Sequence, residues 1–88
     1  MTKIKIDYSR KFNKNLIKAP LKIKIAFRNR REIFNQDPLN PQLNNHQLTG
    51  KFKGCRSINV TGDWRAIFSE RDGIIIFEAL GTHSQLYK

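Results

Sequence analysis

The sequence predicts an α+β fold, in which a helical hairpin packs on one face of a small, largely antiparallel sheet. Two observations predict it. Helical periodicity runs through residues 9–35, and from residue 46 onward four short apolar segments are separated by turn residues. A run of helices followed by a run of strands is typical of α+β proteins. With a short leading strand, the predicted order is β-α-α-β-β-β-β in one domain spanning residues 1–88.

The amino-terminal part of the chain predicts one strand and two helices. Charged and apolar residues alternate over residues 3–7, which predicts the strand. Ser9 is a candidate N-cap for the first helix, and Pro20 separates this helix from a second one over residues 21 to about 35. The apolar stripe of the first helix consists of Tyr8, Phe12, Leu16 and Ala19. The apolar face of the second consists of Ile23, Ala26, Phe27, Ile33 and Phe34.

The carboxy-terminal part predicts a four-stranded meander. Pro38 and Pro41 end the second helix, because the residue before a proline is disfavoured in helical conformation. Four strands follow at residues 46–49, 55–60, 64–69 and 74–80. Gly50, Thr61-Gly62 and Arg71-Asp72-Gly73 supply the turn residues between them.

Positive charge is concentrated in one half of the chain. The net charge is +10, and residues 1–36 contribute +9 through eleven Lys or Arg against two acidic residues. Such one-sided basicity predicts a polyanionic partner, either a nucleic acid or an acidic protein. A solvated helical face is the alternative, but the scarcity of acidic residues in this half favours the polyanion.

Several classes of protein are excluded by simple counts. Cys55 is the single cysteine, so no intramolecular disulfide forms, and one Cys with two His does not make a zinc set. The first residues do not resemble a signal peptide, and no apolar run reaches the ~20 residues of a spanning helix. We therefore expect a cytoplasmic protein that needs no cofactor and does not bind a membrane.

Polar side chains in the carboxy-terminal part fit RNA cleavage by the neighbouring 2′-hydroxyl. That reaction needs a base, an acid and cations that stabilise charge on phosphorus, and histidine serves either proton-transfer role. The candidates are His46, Asp63, His83 and Tyr87 for catalysis, and Lys51, Lys53, Arg56, Trp64 and Arg65 for RNA binding. Structural alternatives are a surface imidazole for His46, a turn residue for Asp63, a core residue for Trp64 and a terminal anchor for Tyr87.

Four short motifs occur in a fixed order, at His46–Gly50, Lys53–Val60, Asp63–Arg65 and Gly81–Tyr87. This order and spacing resemble the RelE/ParE toxin superfamily of bacterial type II toxin–antitoxin modules, and most closely its YafQ branch. The resemblance implies a monomeric toxin that cuts mRNA on the translating 70S ribosome, contacts ribosomal RNA and forms a heteromer with an acidic antitoxin. The active-site positions that it implies are His46, Asp63, Trp64, His83 and Tyr87.

The sequence departs from that branch at two positions. Asn59 stands where the branch has a His four residues before Asp63, and Ala79 stands where it has an Arg four residues before His83. A possible base and a phosphate-stabilising cation are therefore absent, and Arg56 or Arg65 is left to supply the cation. Two alternatives stay open: a ParE-like toxin that inhibits DNA gyrase, and an inactive basic module that binds nucleic acid or only the antitoxin.

Overall fold

The computed structural model describes residues 4–87, and within this range it contains five strands and three α-helices. In chain order these are β1 (Lys5–Tyr8), α1 (Arg10–Lys18), α2 (Leu21–Gln36), β2 (His46–Gln47), β3 (Arg56–Asn59), β4 (Trp64–Arg71), β5 (Ile74–Thr82) and α3 (His83–Leu86). The strands form one sheet in the order β1-β5-β4-β3-β2, with β1 parallel to β5 and all other neighbours antiparallel. The predicted α+β class is confirmed, whereas α3 was not predicted.

The helical hairpin is positioned by its connections to the sheet. The Ser9 hydroxyl accepts a hydrogen bond from the backbone N–H of Phe12 at 3.0 Å, which caps α1. The same hydroxyl donates to the carbonyl of Glu78 in β5 at 2.9 Å. Pro20 then separates α1 from α2. Within residues 4–87 no helix is long and apolar enough to cross a membrane.

An aromatic cluster fills the space between the helices and the sheet. Phe77 of β5 is fully buried at its centre, and its ring centroid lies 5.2–5.8 Å from those of four phenylalanines. The four are Phe12, Phe27, Phe34 and Phe68. Tyr8 was predicted on the stripe of the first helix, but it closes β1, where its ring still lies 5.5 Å from that of Phe12.

The opposite face of the sheet carries a second, smaller cluster beneath α3. Ile67, Ala79 and Leu86 are buried there. α3 starts at a capping box, in which the Thr82 hydroxyl accepts from the Gln85 N–H and the Gln85 side chain accepts from the Thr82 N–H. The strand before it continues to Thr82 and not only to residue 80.

The other strand limits also differ from the predicted ones. β1 reaches Tyr8, and the predicted start at Lys3 lies outside the described residues. β2 has only two residues, because the chain enters a 3₁₀ turn at Gly50–Phe52 soon after it. β4 extends to Arg71 and turns into β5 through Asp72 and Gly73, whose φ angles of 53° and 79° suit a type I′ hairpin.

Candidate active site

A groove of about 330 Å³ opens on the sheet face away from the helical hairpin. It is lined by residues 47–49 and by His46, Ser57, Arg65, His83 and Tyr87. Strand register brings them together: His46 of β2 pairs with Ser57 of β3, and Arg65 of β4 pairs with Gly81, two residues before His83. The two histidines therefore border the same groove, although they are 37 residues apart in the chain.

His46 is held in one orientation by the turn that precedes β2. Asn44 adopts the left-handed conformation with φ 47°, and its carbonyl oxygen lies 2.8 Å from Nδ1 of His46. A carbonyl only accepts hydrogen bonds, so Nδ1 carries the proton in the neutral imidazole. The lone pair is then on Nε2, and this nitrogen is available to accept a proton from a ligand.

His83 is positioned through its backbone as the first residue of α3. Its N–H donates to the carbonyl of Asp63 at 3.1 Å, and its own carbonyl accepts from the N–H of Tyr87 at 3.0 Å. The imidazole is exposed, with its centroid 4.7 Å from that of the Tyr87 ring. Tyr87 in turn meets Phe52 edge-on at 5.7 Å. The short helix thus places an imidazole and a phenol side by side at the groove.

The two candidate arginines lie on opposite faces of the sheet. Arg56 is paired with Phe68, a residue of the helix-side core, and its Nε donates to Asn45 Oδ1 at 2.7 Å. Arg65 lines the groove, and one terminal nitrogen donates to the carbonyls of Thr61, Gly62 and Trp64 at 3.0–3.2 Å. Its Nε and second terminal nitrogen make no hydrogen bond within residues 4–87, so they can contact an anion.

The model of a protein family, the bacterial YafQ toxins of type II toxin–antitoxin systems, matches residues 4–88. The chain belongs to the YafQ toxin family. It is therefore a toxin of a type II toxin–antitoxin system, as the resemblance of its motifs predicted.

Two relatives are both named mRNA interferase toxin YafQ. With the one from Escherichia coli K12 the chain shares 38% identity over 55 residues, which span 62% of this chain and 60% of the relative. With the one from E. coli B/BL21-DE3 it shares 31% identity over 86 residues, 93% of this chain and 94% of the relative. The crystal structure of YafQ from E. coli BL21(DE3) has a TM-score of 0.75 at 30% identity, covering 94% of this chain and 97% of that chain.

A further solved structure is that of the E. coli DinJ–YafQ toxin–antitoxin complex. Its matching chain has a TM-score of 0.77 at 26% identity, with coverage of 94% of this chain and 96% of that chain. The folds therefore agree over almost the whole described length of this YafQ-family toxin.

Two polar residues near the groove were not among the candidate site residues predicted from the sequence. Ser57 is fully buried, and its Oγ has no hydrogen-bond partner within residues 4–87. Oδ1 of Asn59 is also buried without a partner there. Buried polar atoms are nearly always hydrogen-bonded, so these two oxygens are exceptions. The sequence could have indicated the position of Ser57. It directly precedes the apolar residue Ile58, and neighbouring residues of a strand lie on opposite sheet faces.

Other candidate residues of this toxin take positions outside the groove lining. Asp63 is exposed and contributes its carbonyl to His83, while Trp64 is half-buried against the main core. Lys51 and Lys53 are exposed, and Lys53 lines an adjoining hollow that shares residues 47–49 with the groove. Ala79 is buried next to Ile67 and Leu86. Among the described residues no cluster of three His, Cys, Asp or Glu could hold a metal ion.

Cys55 offers a pH-dependent test of the packing beside the groove. It is partly buried against the Ile67–Leu86 cluster, and burial raises the pKa of its thiol, with a further contribution from the negative charge of Glu78. Because the thiolate is the nucleophile, we expect iodoacetamide to alkylate the folded protein more slowly than the urea-unfolded chain near neutral pH. In the folded protein the rate should rise with pH through a midpoint above the ordinary value of 9.0.

The raised pKa of the Cys55 thiol also makes the stability of the fold depend on pH. The folded chain holds the thiol proton more tightly, so this contribution to stability is present below the ordinary pKa and is lost as pH rises through the raised one. Mass spectrometry of the alkylated fraction against pH measures the midpoint. Equal alkylation rates in folded and unfolded protein would contradict the burial of the thiol.

Proposed function

We propose that this YafQ-family toxin is a ribosome-dependent mRNA endonuclease that cleaves through the neighbouring 2′-hydroxyl without a metal ion. The observation that supports it best is a groove bordered by two imidazoles and a guanidinium. Of the described residues that line this groove, none is acidic. Such a surface suits a phosphodiester and supplies both proton-transfer groups. The name of the E. coli relatives, mRNA interferase, supports the same function.

The proposed reaction uses the two histidines in different roles. Nε2 of His46 accepts the proton of the 2′-hydroxyl, and the 2′-oxygen forms a bond to phosphorus. The bond from phosphorus to the 5′-oxygen breaks, and His83 gives that oxygen a proton. The products are a 2′,3′-cyclic phosphate and a 5′-hydroxyl. Exchange of protons with solvent returns both imidazoles to their starting states.

Arg65 and Tyr87 are proposed to bind the scissile nucleotide. The unpaired nitrogens of Arg65 donate to the non-bridging phosphate oxygens as charge builds up on them. A positioned donor of this kind is worth about 10²–10³ in rate. The Tyr87 ring, packed between His83 and Phe52, offers a face on which a base stacks.

The helices are proposed to bind the polyanionic partners. Residues 1–36 contribute +9 of the net charge of +10, and this charge suits both ribosomal RNA and an acidic antitoxin. The E. coli DinJ–YafQ structure is a toxin–antitoxin complex, and we propose a cognate acidic antitoxin for this chain as well. Its site of action is proposed to be the cytoplasm, where translating ribosomes are found.

Purified toxin, translating ribosomes and a defined mRNA test the function directly. We expect cleavage within a codon and products that end in a 2′,3′-cyclic phosphate and a 5′-hydroxyl. A single 2′-deoxy substitution at the scissile nucleotide should abolish cleavage there, because it removes the nucleophile. The matched control is the same substitution one codon downstream, which should leave the cleavage rate unchanged.

Four outcomes would contradict the proposal. Products with a 5′-phosphate, or cleavage that survives the 2′-deoxy substitution, would exclude attack by the 2′-oxygen. Growth arrest on expression with intact mRNA and induced DNA damage would favour the gyrase-inhibiting alternative. If the folded protein causes neither growth arrest nor mRNA cleavage, it is an inactive relative.

A further inference from the structure

A second groove, of about 320 Å³, lies next to the candidate active site. α3 separates the two, because Gln85 and Leu86 line the second groove while His83 borders the first. Phe52 also lines the second groove, and its ring meets that of Tyr87, which lines the first. Aromatic surface therefore continues from one groove to the other.

Three lysines give the second groove a positive charge. Lys11 and Lys18 are seven residues apart on α1, which places them on the same helix face. Lys51 comes from the 3₁₀ turn after β2, and its ammonium lies 5.2 Å from the centroid of the Phe52 ring. Within residues 4–87, none of the three has a carboxylate within 4.0 Å, so their charge is not neutralised by the protein.

Two amide side chains add further donors to the groove. Asn15 Oδ1 accepts from the N–H of Leu80 at 3.1 Å, and Gln85 Oε1 accepts from the N–H of Thr82 at 2.9 Å. These bonds use the amide oxygens and leave the NH₂ groups for a ligand. None of the described residues that line the groove is acidic. The polar side chains of this groove thus offer hydrogen-bond donors and positive charge, and this combination favours binding of an anion.

We propose that the second groove binds single-stranded RNA, with its phosphates on the lysines and amides and a base against Trp64 or Phe52. This inference rests on the proposed function, because the bound strand is the mRNA continuing from the candidate active site. An acidic peptide would also be attracted by three ammonium groups. The partly exposed aromatic side chains favour RNA, since cations next to aromatic rings on which bases can stack bind single-stranded nucleic acids.

The chain's one tryptophan lies in this groove and provides the measurement. A short 2′-O-methyl RNA cannot be cleaved through its 2′-oxygen, so its binding is observed alone. We expect it to quench Trp64 fluorescence. In the Lys11→Gln/Lys18→Gln variant, the slope of log affinity against log salt concentration should be smaller by about 1.4, because a contact to a single strand contributes about 0.7.

The matched control is Lys14→Gln/Lys22→Gln, which removes the same charge from exposed positions of α1 and α2 that do not line the groove. Its salt slope for this short RNA should stay close to that of the unmodified protein, because ribosomal RNA and the antitoxin, the partners proposed for the helices, are absent from this experiment. Equal slopes in the two double variants would overturn the inference. So would poly-L-glutamate that displaces the RNA at equal charge concentration, because the groove would then bind acidic peptides.

The two proposals fail in different ways. Ribosome-dependent cleavage together with equal slopes would retain the proposed function and reject the RNA groove. If the toxin never cleaves mRNA but the Lys11→Gln/Lys18→Gln variant has the smaller salt slope, RNA binding in the second groove is supported and the nuclease function is rejected.

Discussion

Replacement of either groove histidine, as His46→Gln or His83→Gln, should lower the rate of mRNA cleavage on the ribosome about 10²–10⁴-fold, the usual contribution of a positioned acid or base. Glutamine keeps a polar side chain of similar reach but neither donates nor accepts a proton at neutral pH. Both histidines are exposed, so the free energy of unfolding should hardly change. Single-turnover cleavage at saturating toxin measures the chemical step.

A modified mRNA separates the two roles. When sulfur replaces the 5′-bridging oxygen at the scissile phosphate, the leaving group departs as a thiolate and needs no proton. The His83→Gln variant should cleave this mRNA at nearly the rate of the unmodified toxin, while His46→Gln should remain slow because it still lacks the base. The opposite pattern would exchange the two roles, and rescue of neither variant would remove His83 as the acid.

Ser84→Ala is the matched control for these variants. Ser84 is exposed on α3 beside His83 and lines neither groove described above. Surface changes of this kind alter stability by less than about 0.5 kcal/mol, so its cleavage rate should stay within about twofold. A large loss in Ser84→Ala would mean that disturbance of α3, and not loss of the imidazole, explains the result for His83→Gln.

Helical periodicity predicted the hairpin well because its core side chains are large and regularly spaced. Phe12, Ala19, Ile23, Phe27 and Phe34 are all buried as the stripes indicated. The parallel pairing of β1 with β5 had no comparable signal. It joins strands about seventy residues apart in the chain, and they are not connected by a turn motif from which their pairing could be predicted.

Strand alternation explains why one arginine was predictable and the other was not. In β3, Arg56 is two residues from buried Ile58, so it faces the helices, and this could have been read from the sequence. In β4, Ala66, Ile67 and Phe68 are all buried because both sheet faces are covered there. Alternation then carries no information about the face on which Arg65 lies.

The missed helix α3 shows how local chemistry can define a site. The residues of its capping box, Thr82 and Gln85, have the Thr-x-x-Gln spacing that indicates a helix start. Without α3, His83 would continue the strand and Gln85 would not face α1. The same four-residue helix places His83 at the first groove and Gln85 at the second.

The fold that supports both grooves depends on Phe77. Phe77→Ala should lower the free energy of unfolding by about 3–5 kcal/mol, the usual cost of removing a buried phenylalanine ring. The ring contacts Phe12 and Phe27 of the helices and Phe68 of β4, so neighbours from three elements cannot all move into the space. Urea denaturation measures the change.

Leu39→Ala is the control, because Leu39 is 73% exposed and its truncation should cost less than about 0.5 kcal/mol. A loss below about 1.5 kcal/mol in Phe77→Ala would contradict the central role of this ring. Small domains are stable by only about 5–15 kcal/mol, so the variant should unfold at markedly lower urea. Its folded fraction should still cleave, because Phe77 lies in the core on the helix side of β5, whereas His83 follows the end of this strand and lines the groove on the other side. Loss of cleavage in fully folded Phe77→Ala would instead show that the core sets the geometry of the histidines.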